Sequence, residues 1–211
     1  MPTEHRFFAA IWDRVIAASE EAGLADMRSE TVRQARGRTL ELGAGTGNNL
    51  DYYTPEVTEL VLTEPDPHMA KRLRKRLAER PPDVGSVEVV EAPAESLPFE
   101  DASFDSIVST LVLCSVHDPT GVARELARLL RPGGRLLYLE HVRDPEEGRL
   151  ARWQDRLERP WGWMMGACRP NRPTEPILRS AGFETEGTIE SFPKGGPLVR
   201  PLARGTASLR G

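Results

Sequence analysis

The sequence predicts an α/β fold: a mostly parallel sheet with helices on both faces. Three observations carry that expectation. Short apolar runs at residues 57–64, 87–90, 104–108 and 136–140 alternate with stretches of helical periodicity. Leu40-Glu41-Leu42 leads straight into Gly43-Ala44-Gly45-Thr46-Gly47, a buried strand ending in a glycine-rich turn. An acid, Glu64, closes the second apolar run and is followed by Pro65-Asp66-Pro67.

The glycine turn has a physical logic. Residues without a Cβ take positive φ at little steric cost and let backbone N–H groups approach a ligand closely. Asn48-Asn49 suits the opening of a helix, whose N-terminal end would favour a carboxylate or phosphate. The spacing is G-x-G-x-G rather than the G-x-G-x-x-G of dinucleotide dehydrogenases, and a turn of this kind can also close a strand with no ligand at all. Glu64 supplies the second half of a site. An acid at the tip of the second strand, about 20 residues beyond a glycine loop, can hold a ribose diol by accepting both hydroxyl hydrogens.

The remaining elements follow in order. Phe7, Phe8, Ile11, Trp12, Val15 and Ile16 sit at helical spacing within residues 4–24, and residues 26–34 predict a second short helix. Residues 67–79 predict the next, with Met69, Leu73 and Leu77 on one side and Pro67 in the first turn. Its basic run, Lys71 to Arg76, reads as a solvated outer face, and Pro81-Pro82-Asp83 stops it. Residues 120–130 are amphipathic, and Pro132-Gly133-Gly134 separates them from the fifth strand. After His141 the composition changes: residues 149–165 carry Trp153, Trp161 and Trp163, with Pro160 breaking or kinking any helix there. Residues 174–181 predict a helix, and 185–191 with 198–207 a closing antiparallel hairpin.

Composition narrows the function classes. A chain of 211 residues buries an ample core as one domain. A net charge of −4 gives no electrostatic footprint for nucleic acid, so no nucleic-acid partner is expected. Two cysteines far apart make no disulfide framework, and no run approaches a membrane span or a signal peptide. The expectation is a cytoplasmic protein with no transmembrane anchor.

Further motifs complete an ordered set: Ala94-Glu95-Ser96-Leu97-Pro98-Phe99, Asp105-Ser106-Ile107-Val108 and Leu130-Arg131-Pro132-Gly133-Gly134. Together with the glycine turn and Glu64 they resemble the class I S-adenosylmethionine-dependent methyltransferases, over residues 38–140. Within these the chain is similar to the small-molecule branch (methyltransferase type 11) that includes the ubiquinone and menaquinone methyltransferases. Thr110 to Val116, Glu140-His141-Val142 and Gly166-Ala167-Cys168 followed by Arg172 resemble markers of the thiol S-methyltransferase group.

The resemblance implies a Rossmann-like, seven-stranded sheet and S-adenosylmethionine as cofactor, with S-adenosylhomocysteine as product. It places cofactor contacts at Glu41, Gly43, Ala44, Gly45, Gly47, Glu64, Pro65, Met69, Ala94, Glu95, Thr110, Leu111 and Ser115. It divides the chain into a helical lid (1–36), a cofactor-binding core (38–141), a substrate-side insertion (142–182) and the hairpin (183–208). Trp12-Asp13 resembles an aromatic–Asp pair that closes over the sulfonium in related enzymes. The hydrophobic N-terminal anchor of the animal thiol methyltransferases has no counterpart here. Pro93 stands where relatives place an Asp that reads adenine, and Pro201-Leu202 where they often have Pro-His, so those two contacts do not carry over.

The chemistry expected is direct in-line displacement at a methyl carbon, which needs alignment and an acceptor in its anionic or lone-pair form. For a thiol, a nearby positive group suffices. His141 and Arg172 are the catalytic candidates, with His117 behind them, and Trp12, Trp153 and Trp161 are candidates for the acceptor side. Cys114 and Cys168 read as small buried hydrophobes. The chain lacks the Pro-Pro-aromatic tetrapeptide of amine methylators, a Pro-Cys nucleophile, and an acidic cluster for magnesium, so no metal is expected. The expected function is methylation of a small molecule, a thiol or other soft nucleophile. The competing expectations are a C- or O-methyltransferase on a quinone-like or polyketide-like acceptor, a non-catalytic S-adenosylhomocysteine-binding module, and a nicotinamide dehydrogenase.

Overall fold

A computed structural model describes residues 19–192 and 196–210. The expected Trp12–Asp13 lid lies outside the described residues. Seven strands, β1 (Gly37–Leu42), β2 (Val57–Thr63), β3 (Val87–Val90), β4 (Phe104–Thr110), β5 (Leu130–His141), β6 (Phe183–Ser191) and β7 (Pro201–Leu209), form one sheet in the order β3-β2-β1-β4-β5-β7-β6. β1 to β5 pair in parallel, while β7 runs antiparallel to both β5 and β6. Strands covered on both faces are buried at successive positions, and residues 39–42 of β1, 106–110 of β4 and 136–140 of β5 are. Leu40, Ile107, Leu136 and Tyr138 pack into one core, and Leu60, Leu62, Val108 and Leu137 into the other.

The strand order reverses between β1 and β4, and open sheets of this kind hold ligands in the crevice outside the strands' carboxyl ends at such a point. The helices are α1 (Ala25–Val32), entered through a π-helical turn at Glu20–Leu24, α2 (Pro67–Glu79), α3 (Pro119–Leu129), α4 (Arg149–Met164) and α5 (Thr174–Ser180). α2 keeps its expected bounds because Asp66 caps it, accepting the N–H groups of His68 and Met69 at 2.7 and 3.2 Å, with Pro67 in the first turn. None of the described helices is long and apolar enough to cross a membrane.

Three expectations are corrected. No α-helix follows the glycine turn: the crossover to β2 holds only a 3₁₀ turn at Leu50–Tyr52. Of the fourteen residues between the strands, 43–47 form the glycine turn and 53–56, with Pro55 among them, lead into β2, which leaves five for a helix. Thus no helix dipole faces the crevice there. β5 begins at Leu130 rather than beyond the glycines, its register with β4 shifting between Phe104↔Leu130 and Ser106↔Arg135 so that Pro132-Gly133-Gly134 forms a bulge. α4 runs through Pro160, which is exposed, and Met165 N–H closes the helix on the Trp161 carbonyl at 2.8 Å.

Candidate active site

The crevice is built first from the turn after β1. Gly43, Gly45 and Gly47 take φ of +58°, +59° and +88°. At two of them a side chain is also excluded by space: a Cβ on Gly43 would stand 2.9 Å from a Val112 methyl, and on Gly47 2.8 Å from one of Leu50. The Ala44 N–H donates to the Thr63 carbonyl at 2.8 Å, tying the turn to β2. Glu64 sits between the two turns, its carboxylate accepting the N–H of Gly45 at 2.8 Å and that of Asp66 at 2.9 Å. Burial raises its pKa against those two hydrogen bonds. An ionised carboxylate offers about four acceptor sites, so capacity for two hydroxyls remains.

Beside the turn lies a buried polar network. Arg28, on α1 and 4 % exposed, donates to Thr110 Oγ1 at 2.8 Å, Asn49 Oδ1 at 3.2 Å and Glu20 Oε1 at 2.8 Å. Asn49 Nδ2 donates in turn to Glu41 Oε1 and Thr110 Oγ1, both at 2.9 Å, and the Tyr53 hydroxyl donates to Glu41 Oε2 at 2.6 Å. Burial pushes the Glu41 carboxyl up to about 7, although Tyr53, Asn49 and Arg28 all pull it down. A buried cation and a half-protonated buried acid on one wall suit the two charges of an amino-acid zwitterion.

The third part lies past the ends of β4 and β5. Leu111 takes φ +60°, turning residues 111–115 across the crevice. Glu140, fully buried, holds that loop by accepting Ser109 Oγ–H at 2.8 Å and the N–H groups of Val112 and Cys114 at 3.0 and 3.2 Å. His141 Nδ1 lies 3.4 Å from Cys168 Sγ and 3.8 Å from Cys114 Sγ, and the two sulfurs are 3.8 Å apart. The contact with Cys168 and burial push the Cys114 thiol well above its ordinary pKa. Gln154 clamps the insertion below them, its Nε2 reaching the carbonyls of Val142, Pro170 and Leu198 at 2.9–3.0 Å.

Among the sequence candidates, Glu41, Gly43, Ala44, Gly45, Gly47, Glu64, Pro65, Met69 and Thr110 gather at the ends of β1, β2 and β4. Ala94 and Glu95 follow β3, where exposed Glu95 accepts the His117 N–H at 3.2 Å. The Ser115 hydroxyl sits 3.6 Å from Cys114 Sγ. Arg172 donates to the Val116 carbonyl at 3.1 Å, while its buried Nε has no partner among the described residues; burial lowers its pKa. On α4 the Trp161 indole N–H is buried and equally unpartnered, whereas Trp153 is 48 % exposed. The sequence reading missed Arg28, Asn49, Tyr53, Glu140 and Gln154. A lone Arg in a short helix with little apolar pattern looks solvated, and only the acidic end of β5 offered a signal.

Comparison with known proteins is consistent with this site. Residues 40–138 match a methyltransferase domain family. Human thiol S-methyltransferase TMT1B is 40 % identical over 145 residues, 68 % of this chain, and the match spans only 59 % of the relative's own length. Human thiol S-methyltransferase TMT1A is 30 % identical over 201 residues, covering 95 % of this chain and 82 % of the relative. A Thermotoga maritima S-adenosylmethionine-dependent methyltransferase, described as a possible histamine N-methyltransferase, superposes with a TM-score of 0.67 at 25 % identity, over 95 % of this chain and 97 % of that one. The glycine turn, the acid one strand over and the 3-2-1-4-5-7-6 sheet thus agree with sequence likeness along nearly the whole chain: it belongs to the class I S-adenosylmethionine-dependent methyltransferases.

Proposed function

We propose that this chain methylates a small thiol, or another soft nucleophile, at the expense of S-adenosylmethionine. The observation that carries the cofactor half is the distribution of charge around one glycine turn: Arg28 and Glu41 buried on one side, Glu64 on the other. That set fits an amino-acid zwitterion and a ribose diol belonging to one ligand. Arg28 would neutralise the carboxylate, Glu41 the ammonium, and Glu64 would accept the sugar hydroxyls, with Met69 and Ala94 on the nucleoside side. When bound, the sulfonium supplies an electrophilic methyl carbon whose leaving group needs no protonation.

The work left to the protein is alignment and control of the acceptor's proton. Holding nucleophile and methyl carbon in line can contribute up to ~7–11 kcal/mol. A thiol with free pKa near 8.5 needs only a modest push toward thiolate, which the partly buried cation of Arg172 and the His141 ring would supply from the acceptor side. Trp161, with Trp153 at the rim, would form the apolar wall of the pocket within the 142–182 insertion. The thiol reading is supported by the likeness to a thiol S-methyltransferase over 95 % of this chain.

The test is transfer of labelled methyl to a panel of small thiols, phenols and quinols, followed by mass spectrometry of the products. Thioether formation dependent on the protein supports the reading. Label on a quinol or phenol alone would replace the acceptor class, and micromolar S-adenosylhomocysteine binding without any turnover would favour a binding module.

A further inference from the structure

Cys114, His141 and Cys168 come from three separate segments, the loop after β4, the end of β5 and the turn after α4, yet their ligand atoms converge. They use both cysteines of the chain and one of its four histidines. We infer that these three side chains form a binding site for one zinc ion, with the fourth coordination position open to the thiolate of the acceptor.

The spacing of the three atoms is the first argument. Zn–S bonds of about 2.3 Å and Zn–N bonds of about 2.0–2.1 Å at tetrahedral angles require S···S near 3.8 Å and S···N near 3.6 Å. The triangle has edges of 3.8 Å between the sulfurs and 3.4 and 3.8 Å to Nδ1. It matches one face of a zinc tetrahedron with little movement. Two thiolates and an imidazole also suit zinc better than harder divalent ions.

The support around the ligands is the second argument. The Cys114 N–H is fixed by the buried Glu140 carboxylate, and the Cys114 carbonyl accepts the Arg169 N–H at 2.7 Å, so the backbones beside both cysteines are stitched together. Cys168 is aimed inward by a turn in which Gly166 and Ala167 have φ of +61° and +70°, the latter costly for a residue with a Cβ. The same turn ends α4, the Ala167 N–H closing on the Gly162 carbonyl at 2.7 Å, so the termination of that helix fixes where Cys168 points.

The third argument is the ligand count. Among the described residues the group has three members, not four. Two cysteines and one histidine with an open position is the arrangement of catalytic rather than structural zinc. An acceptor thiol taking that position would give up its proton to solvent on coordination. Its sulfur lone pair would then form the new S–CH3 bond as the sulfonium S–CH3 bond breaks, those electrons staying on the departing sulfur. The thioether product, neutral and a weak ligand, would leave. Two cysteine thiolates and a substrate thiolate leave the centre one negative charge in excess, and Arg172, whose guanidinium donates to the Val116 carbonyl two residues beyond Cys114, would offset it. This departs from the sequence expectation that no metal is bound. The open position rests on the thiol reading above; the metal site does not.

The test is cobalt substitution. Reduced, chelator-stripped protein is titrated with Co2+, which in a tetrahedral thiolate site gives intense visible bands and sulfur-to-metal charge transfer. Expected are one Co2+ per chain, displacement by one equivalent of Zn2+, and a change in the visible bands on adding a small thiol but not the corresponding alcohol. Cys114→Ser, Cys168→Ser and His141→Ala should each lose the bands while keeping S-adenosylhomocysteine affinity, which reports that they fold. No stoichiometric band in wild-type protein with both thiols demonstrably reduced overturns the site, as do bands that survive both serine variants. Thiol methylation undiminished after chelation overturns the open position yet leaves thiol methylation itself standing. Absent thiol turnover by the zinc-loaded protein counts against the acceptor class instead.

Discussion

The guanidinium of Arg28 on α1 donates to the hydroxyl of Thr110 at the end of β4, at 2.8 Å across 82 residues of chain. The same guanidinium touches Asn49, so it joins the segment before β1, the loop after β1 and the end of β4. Replacing it by methionine keeps much of its volume but removes the buried cation beside Asn49 and Thr110. Arg28→Met should weaken S-adenosylhomocysteine binding by at least tenfold, since a hydrogen bond to a charged group is worth about 1.5–3 kcal/mol. Arg28→Lys, which keeps the charge but not the fork, should fall between. Calorimetry with S-adenosylhomocysteine and with adenosine separates the effects: adenosine lacks the carboxylate, and its affinity should change little.

Glu41 should make both stability and binding pH-dependent. Its folded pKa is raised from 4.5 to about 7, so the folded state holds the proton more tightly than the unfolded chain. Its contribution is therefore fully favourable below about pH 4.5, declines as pH rises toward 7, and above that leaves the ligand-free fold less stable by about 3 kcal/mol than a neutral group would. Glu41→Gln should melt at a higher temperature than wild type at pH 8 and show no such gain at pH 4.5. Subtracting the two proteins isolates Glu41 from Glu64 and Glu140, whose burial shifts them in the same direction. If Glu41 pairs with an ammonium, binding must ionise it, releasing about half a proton near pH 7. Calorimetry in buffers of different ionisation enthalpy measures that release, which should vanish in Glu41→Gln.

Much of the candidate site was legible because it is local: Glu41 and three glycines lie within seven residues, and Glu64 ends the next strand. The sheet followed from alternation of apolar runs and helical stretches. What escaped was long-range or depended on context. Arg28 resembles any solvated arginine until Glu20, Asn49 and Thr110 surround it. The Cys114–His141–Cys168 cluster has no signature spacing, its sulfurs being 54 residues apart, so motif reasoning treated them as packing. The helix expected after the glycine turn failed for a simpler reason: the turn itself and the approach to β2 take up most of the crossover, leaving a single 3₁₀ turn.

Glu64 offers a prediction about the sugar. Its carboxylate already accepts the Gly45 and Asp66 N–H groups, so alanine would both loosen the turn and remove the diol acceptor. Glu64→Gln is the cleaner change, keeping one carbonyl acceptor and the side-chain volume. It should lower S-adenosylhomocysteine affinity about tenfold or more. The loss should be smaller for a 2′,3′-dideoxy analogue, which has no diol to present. Equal losses for both ligands would mean that Glu64 serves only to hold the turn.

The last prediction concerns the hairpin that closes the sheet. Tyr138 of β5 lies opposite Gly205 of β7, which in turn pairs with Gly187 of β6. The three form one row across the sheet. The fully buried tyrosine hydroxyl reaches over both glycines to donate to Glu175 on α5 at 2.9 Å. A Cβ on Gly205 would stand 2.8 Å from that hydroxyl and closer still to the backbone of Glu186 and Gly187, which cannot swing aside as a side chain can. Gly205→Ala should therefore destabilise the fold by about 1–3 kcal/mol, the usual range for overpacking, or more if the pairing of β6 with β7 must shift. Tyr138→Phe removes the hydroxyl but not the backbone clash. Combining it with Gly205→Ala should thus restore only a small part of the loss, whereas Gly187→Ala, whose closest obstacle is the Tyr138 hydroxyl, should recover more, short of full rescue because its Cβ would still stand 2.8 Å from the Arg204 carbonyl. Denaturant unfolding of the three single and two double variants reads the coupling directly. Equal rescue in both pairs would show that the tyrosine, not the strand backbone, sets the tolerance at both positions.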